Sequence, residues 1–220
     1  MIRIENVTKT FLKSGKPIKA VDDLVWHAAP GSLSVIYGKS GSGKSTLLMM
    51  IGGMMTPTEG RLTVADRNLY ALSHAARNAF RRKSVGFIFQ KFLLLPYFTV
   101  YENIAVPLAM RGTGMASDRI EAMARELDLH DRLDHYPSEL SVGQQQRVAM
   151  ARALVKDPDI LLADEPTGNL DRENAEIIVE RLLGAAATGK TVIAATHDLH
   201  LLERAEHKLH LIDGRDGAGA

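Results

Sequence analysis

The stretch that most restricts the fold is Gly38-Lys39-Ser40-Gly41-Ser42-Gly43-Lys44-Ser45, which fits the spacing G-x-x-x-x-G-K-[ST]. Its flanks carry as much information as its letters. Leu33-Ser34-Val35-Ile36-Tyr37 is short, β-rich and mostly apolar, the texture of a buried strand. Thr46-Leu47-Leu48-Met49-Met50-Ile51 is apolar and helix-forming, and Gly52-Gly53 offers the helix an end. A strand, a glycine loop and a helix in that order aim backbone amides and the positive end of a helix at one point, which suits a phosphate. Gly38, Gly41 and Gly43 let the backbone turn and approach closely where a Cβ would intrude. Lys39, Ser40, Ser42 and Thr46 complete the cradle, Lys44 adds a charge for β- and γ-phosphates, and the Ser45 hydroxyl suits Mg²⁺.

A chain of 220 residues is long enough for one domain with a full core. A net charge of +1 gives no electrostatic basis for binding nucleic acid. Cysteine is absent, which excludes disulfides and thiolate metal sites. Met1-Ile2-Arg3-Ile4-Glu5-Asn6 mixes polar and apolar residues, unlike a secretory signal, and no run approaches the ~18 apolar residues of a membrane span. The expectation is a cytoplasmic protein.

Along the chain, 2–11 and 18–28 read as strands around a turn at Ser14-Gly15-Lys16-Pro17. Phe11 closes the first, and by itself reads equally as a core aromatic. A turn at 54–60 precedes a strand at 61–65, Ser73 caps a helix running to Arg82, and Val85–Phe89 is a strand delivering Gln90. From Lys91 to about Tyr136 the texture becomes mostly helical, with helices near 99–109 and 117–127 and Ser117 placed as an N-cap. The apolar run Phe92–Phe98 is either that insertion's own core or an exposed patch for a partner. Ser141-Val142-Gly143-Gln144 has the form of a capping box opening a helix with Val148, Ala151 and Val155 on one face. Ile160–Ala163 is a buried strand ending at Asp164-Glu165, Asp171 caps the next helix, and Thr191–Thr196 is a strand ending at His197. Lys208–Ile212 forms a hairpin-like segment, and 214–220 are expected to fray. Strands alternating with helices make this an α/β fold with a mostly parallel sheet, whose ligands sit at strand carboxyl ends.

Asp164 and Glu165 follow a buried strand, where one carboxylate can hold a Mg²⁺ shell and the other can accept a proton from water. Gln90 and His197 stand past other apolar strands and would crowd the same point in a parallel sheet. Ser141–Gln144 opens a second helix with a small, glycine-containing entry, hence a second anion site or simply a capped helix. Two copies related by a two-fold axis would let each offer that helix start to the other's nucleotide. The repeated H-x-x-H spacing at His197/His200 and His207/His210 lacks the cysteines or paired carboxylates of a metal site.

Gly38–Ser45, Gln90, Leu140–Arg147, Ile160–Glu165, Asn169-Leu170-Asp171 and His197 resemble, in order and spacing, the ATP-binding cassette (ABC) transporter ATPases, over nearly the whole chain. The resemblance implies one domain over 1–220: an antiparallel β subdomain and catalytic core (1–90 and 137–213), and an inserted helical subdomain (91–136). It implies Mg²⁺-dependent hydrolysis of ATP in a homodimer that closes on ATP. Ser141, Val142, Gly143 and Gln144 would face the opposite copy's nucleotide, and Asp171 would cross the interface. Gln90 would sense Mg²⁺, Ser45 and Asp164 would hold it, Glu165 would act as base, His197 would hold the γ-phosphate, and Phe11 would stack on adenine.

Arg82–Phe92, Glu102–Leu108 and Asp164–Asp171 are most similar to the branch holding the lipoprotein-releasing, macrolide-exporting and cell-division (FtsE-type) ATPases. That implies a protein peripheral on the inner face of the cell membrane, contacting integral membrane subunits through about Lys91–Arg111. Its work would be lipoprotein release or export, or alternatively cell-division signalling. Val142 replaces the usual glycine, Phe11 stands where tyrosine is more usual, and the regulatory C-terminal domain of some importers is not expected here.

Overall fold

The computed structural model describes residues 1–112 and 116–217. Two long strands open it, β1 (Ile2–Lys13) and β2 (Lys16–Ala28), joined at Ser14 and Gly15 with φ of 50° and 76°. This two-residue turn is tighter than the one expected at 14–17, because such mirror-image turns match the twist of their strands. β3 (Leu33–Tyr37) runs through the glycine loop into α1 (Lys44–Ile51). β4 (Glu59–Val64) and β5 (Arg67–Asn68) then return to the first hairpin, giving an antiparallel sheet in the order β2-β1-β4-β5.

α2 (His74–Ser84) is capped by Ser73 and leads into β6 (Val85–Ile88). α3 (Val100–Arg111) and α4 (Ser117–Glu126) follow. Thr99 and Glu102 cap α3 reciprocally. Ser117 does not cap α4. The Ala116 carbonyl already accepts from Arg119 and Ile120, so the helical ladder begins one residue earlier and Ser117 lies inside the first turn.

The rest alternates: α5 (Val142–Leu154), β7 (Ile160–Asp164), α6 (Arg172–Ala187), β8 (Thr191–Ala195), α7 (Leu199–Arg204), β9 (His207–Ile212) and β10 (Arg215–Asp216). The second sheet runs β10-β9-β3-β8-β7-β6, parallel from β9 to β6. The segment 208–212 is therefore a strand parallel to β3, with its hairpin partner in β10. The tail expected to fray from 214 is ordered as far as 217. β10 pairs with β9, and the Arg215 guanidinium grips Asp22 Oδ2 with Nε at 2.8 Å. Residues 218–220 of that tail lie outside the described residues.

Adjacent residues of the central strands part to opposite faces, as strand geometry requires. Val35, Leu161 and Val192 meet α3, α5 and α6, while Ile36, Leu162 and Ile193 meet α1 and the antiparallel sheet. Both faces are thus covered. What stays open is the edge formed by the carboxyl ends of the parallel strands, where ligands of such sheets sit.

Candidate nucleotide site

The glycine loop is held by its neighbours as much as by itself. Gly43 is the N-cap of α1 with φ of 105°, and no side chain caps that helix start. Its first amides therefore remain for a ligand. A Cβ at Gly43 would stand 2.0 Å from the Ala20 carbonyl oxygen, and one at Gly38 would stand 2.2 Å from that of Leu211. Lys44 is buried and folds back over the loop, its Nζ donating to Gly38 O at 2.8 Å and Lys39 O at 3.2 Å.

Ser45 Oγ donates to Asp164 Oδ1 at 3.0 Å, joining the helix start to the end of β7. Burial holds the Asp164 carboxyl above the usual carboxylate range; the Ser45 hydrogen bond and Lys44 pull it down, while Glu165 pushes with burial. Glu165 turns sharply away from the strand with φ of 47°, its N–H bound to Ala195 O at 2.8 Å. Its Oε2 lies 2.9 Å from His197 Nδ1 and accepts from Thr196 Oγ1 at 3.1 Å.

The ends of β3, β6, β7 and β8 thereby surround one cavity of about 520 Å³. Gly38, Lys39, Ser40, Gly41, Gly43, Lys44, Ser45, Thr46, Gln90, Glu165, His197 and Ala20 line it. Strand ends separated widely in sequence meet because β6, β7, β8 and β3 are successive neighbours.

The cavity lining does not include Phe11, Ser141, Val142, Gly143, Gln144 or Asp171. Phe11 is no core aromatic: it is 39% exposed, with Lys9 Nζ 5.2 Å from its ring centroid. Ser141 and Gln144 cap α5 reciprocally, and Val142 beside them is 48% exposed. Asn174 braces this corner. Its backbone and side-chain amides donate to Asp171 at 2.9 and 2.7 Å, and its Oδ1 accepts from Arg147. Those bonds hold the Asp171 carboxyl below its usual range. A Cβ on Gly143 would meet the Asn174 side chain at 2.6 Å.

Several residues here escaped sequence reasoning. Thr196 is fully buried beside Glu165, and Thr167 Oγ1 donates to Asp198 Oδ2 at 2.7 Å. Gln146, buried in α5, donates to Pro166 O at 2.7 Å. Asn103 pins the apolar run by accepting from Leu95 N at 2.8 Å and donating to Phe98 O at 3.0 Å. The only hint of Thr196 was its place before His197. As for the H-x-x-H spacing, His200 pairs with Glu176, and no three His, Cys, Asp or Glu among the described residues are set to share a metal ion.

A glycine loop between β3 and α1, with an acidic pair at the carboxyl end of a parallel strand of the same sheet, defines a phosphate-loop nucleotide-binding protein. The family model described as ABC transporter matches residues 21–168, and the chain belongs to that family, as one of its ATPase cassettes. It is 42% identical over 219 residues to the lipoprotein-releasing system ATP-binding protein LolD of Bordetella avium (97% of this chain, 94% of LolD). It is 41% identical over 217 residues to the macrolide export ATP-binding/permease protein MacB of Brucella melitensis biotype 1, covering 98% of this chain but only 34% of MacB. Among solved structures, the dimeric cassette MJ0796 superposes with a TM-score of 0.93 at 37% identity, covering 99% of this chain and 97% of that one. A post-hydrolysis state of MJ0796 bound to ADP and Pi gives 0.93 at 36%, with the same coverage. No helix among the described residues is long and apolar enough to cross a membrane.

Proposed function

We propose that this chain hydrolyses ATP to drive integral membrane subunits of a lipoprotein-releasing or exporting complex, by closing a homodimer around the nucleotide. The observation that carries the reading is the convergence of Lys44, Ser45, Gln90, Glu165 and His197 on one cavity, with Asp164 bound to Ser45. The α1 amides and Lys44 bind the β- and γ-phosphates and orient them. The Ser45 hydroxyl and Asp164 carboxylate are hard oxygen donors within hydrogen-bond reach of each other, the set a Mg²⁺ ion takes, with Gln90 beside them. When bound, that ion neutralises charge on the β- and γ-phosphates. Glu165 accepts a proton from the water that attacks the γ-phosphorus, as the bond to the departing ADP oxygen breaks. His197 holds the γ-phosphate.

Ser141, Val142, Gly143 and Gln144 are absent from their own chain's cavity, which supports their serving a second copy, with Asp171 crossing the interface. Phe11, exposed at the hairpin end, fits stacking on adenine. For the membrane partner, Phe87, Phe89, Leu93, Leu95, Val106 and Met110 line a groove of about 520 Å³ built partly from the 91–111 segment. Exposed apolar surface of that kind supports a docking helix there, and would keep the protein peripheral at the inner face of the membrane.

The test is ATP hydrolysis by the purified chain. Turnover is expected to need Mg²⁺, and Lys44→Ala is expected to lose ATP binding. Unchanged affinity in that variant would overturn the phosphate-loop assignment.

A further inference from the structure

The proton-accepting role proposed for Glu165 leaves open what aims its carboxylate. Three protein donors approach that side chain: Thr196 Oγ1 at 3.1 Å, His197 Nδ1 at 2.9 Å and His197 N at 3.4 Å. All three reach Oε2, and Oε1 takes none of them. The two oxygens therefore differ: Oε2 is anchored and Oε1 takes none of these contacts, on a residue that lines the cavity.

His197 is a poor permanent anchor. Its side chain is 73% exposed, and its proposed work is at the γ-phosphate. Thr196 is fully buried, and its own N–H is tied to Ile36 O at 3.0 Å in the central sheet. Its hydroxyl has one proton to give. Asp198 N donates to Thr196 Oγ1 at 3.0 Å, so a lone pair is already engaged and the proton is left to point at Glu165. Asp198 is itself fixed by Thr167 Oγ1 at 2.7 Å, and Thr167 belongs to the turn that Gly168 N closes onto Glu165 O at 3.3 Å. The contacts form a ring from Glu165 through Thr167, Asp198 and Thr196 back to Glu165.

From this geometry we infer that Thr196 is a positioning residue for ATP hydrolysis: its hydroxyl clamps Glu165 Oε2 so that Oε1 faces the attacking water. The inference rests on Glu165 acting as the proton acceptor. It assigns Thr196 no contact with nucleotide. When His197 turns to the phosphate, Thr196 keeps Glu165 from swinging with it.

Thr196→Val keeps the shape and removes the donor to Glu165, together with the acceptor of Asp198 N. Loss of a hydrogen bond to a charged group predicts a fall in kcat of roughly 10- to 100-fold with KM for ATP unchanged. Thr196→Ser is expected to restore most of the rate. On a Glu165→Gln background, Thr196→Val should cost nothing further, because residues acting as a unit are not additive. Melting curves of all variants accompany the kinetics. If Thr196→Val melts too low to assay, Thr196→Cys, with a weak S–H donor, takes its place. Wild-type kcat in Thr196→Val, or an equal loss on both backgrounds, overturns the inference. Full turnover in Glu165→Gln would instead overturn the reading of Glu165 beneath it.

Discussion

Ser45 Oγ donates to Asp164 Oδ1 across 3.0 Å, which locks the start of α1 to the end of β7. One partner is the first-turn hydroxyl after the glycine loop, the other a carboxylate that burial holds above its ordinary range. A carboxyl raised in the folded state ionises first in the unfolded one, so ionised Asp164 costs stability above its folded pKa and nothing below the ordinary aspartate value near ~4. Asp164→Asn is expected to melt at or above the wild type at neutral pH without nucleotide, with the advantage shrinking as pH falls toward ~4. The same variant should lose the melting-point rise that Mg²⁺-ATP gives. A lower melting point without nucleotide and an intact Mg²⁺-ATP shift would contradict this.

Gly43 offers a test of the loop that removes no functional group. A methyl there meets the Ala20 carbonyl, on a backbone with φ of 105°. Gly43→Ala is expected to cost roughly 1–3 kcal/mol in urea unfolding and to weaken ATP binding strongly. Stability and affinity equal to the wild type would show that the loop adjusts freely.

Val142 is the chain's own departure at the start of α5. It is 48% exposed, next to a capping box that is already satisfied. In the closed homodimer proposed above, its branched side chain would face the second copy's phosphates. Val142→Gly is expected to raise basal ATP turnover a few-fold and leave the monomer's melting point nearly unchanged, since Val142 is exposed in the first turn of α5 and valine is itself a weak helix former. A fall in turnover would assign Val142 a supporting role instead.

Lys156 lies beneath the apolar groove, its Nζ donating to Arg81 O at 3.1 Å. Burial, reinforced by Arg111, brings its pKa down to about 8. The unfolded chain then binds the extra proton between about pH 8 and the ordinary lysine value near ~10.4, so stability gains with rising pH across that window. Lys156→Met is expected to be most favourable relative to wild type below about pH 8, with the difference narrowing by about pH 10. Urea unfolding at both values decides it, and a difference that widens with pH would contradict it.

The sequence was most legible where causes are local. Ser73, Ser141 and Asp171 cap the helices they precede because a cap needs only its own next turn. The glycine loop was readable because strand, turn and helix are contiguous. The Thr196–Glu165 contact was not, since it depends on β7 and β8 lying side by side in register, Asp164 opposite Ala195. The pairing of β9 with β3 and the grip of Arg215 on Asp22 are likewise tertiary facts with no short-range mark. Ser117 misled for the opposite reason: its residue type suits a cap, while the helical ladder had already begun at Ala116.

The central claim is that one copy's glycine loop and another's Ser141 helix grip the same Mg²⁺-ATP. Light scattering on Glu165→Gln with Mg²⁺-ATP tests it most directly, because slowed hydrolysis preserves the closed state. The account predicts a dimer that returns to monomer when Ser141→Arg is added, while each chain still binds ATP. A monomer under saturating Mg²⁺-ATP, or a dimer indifferent to Ser141→Arg, would contradict it.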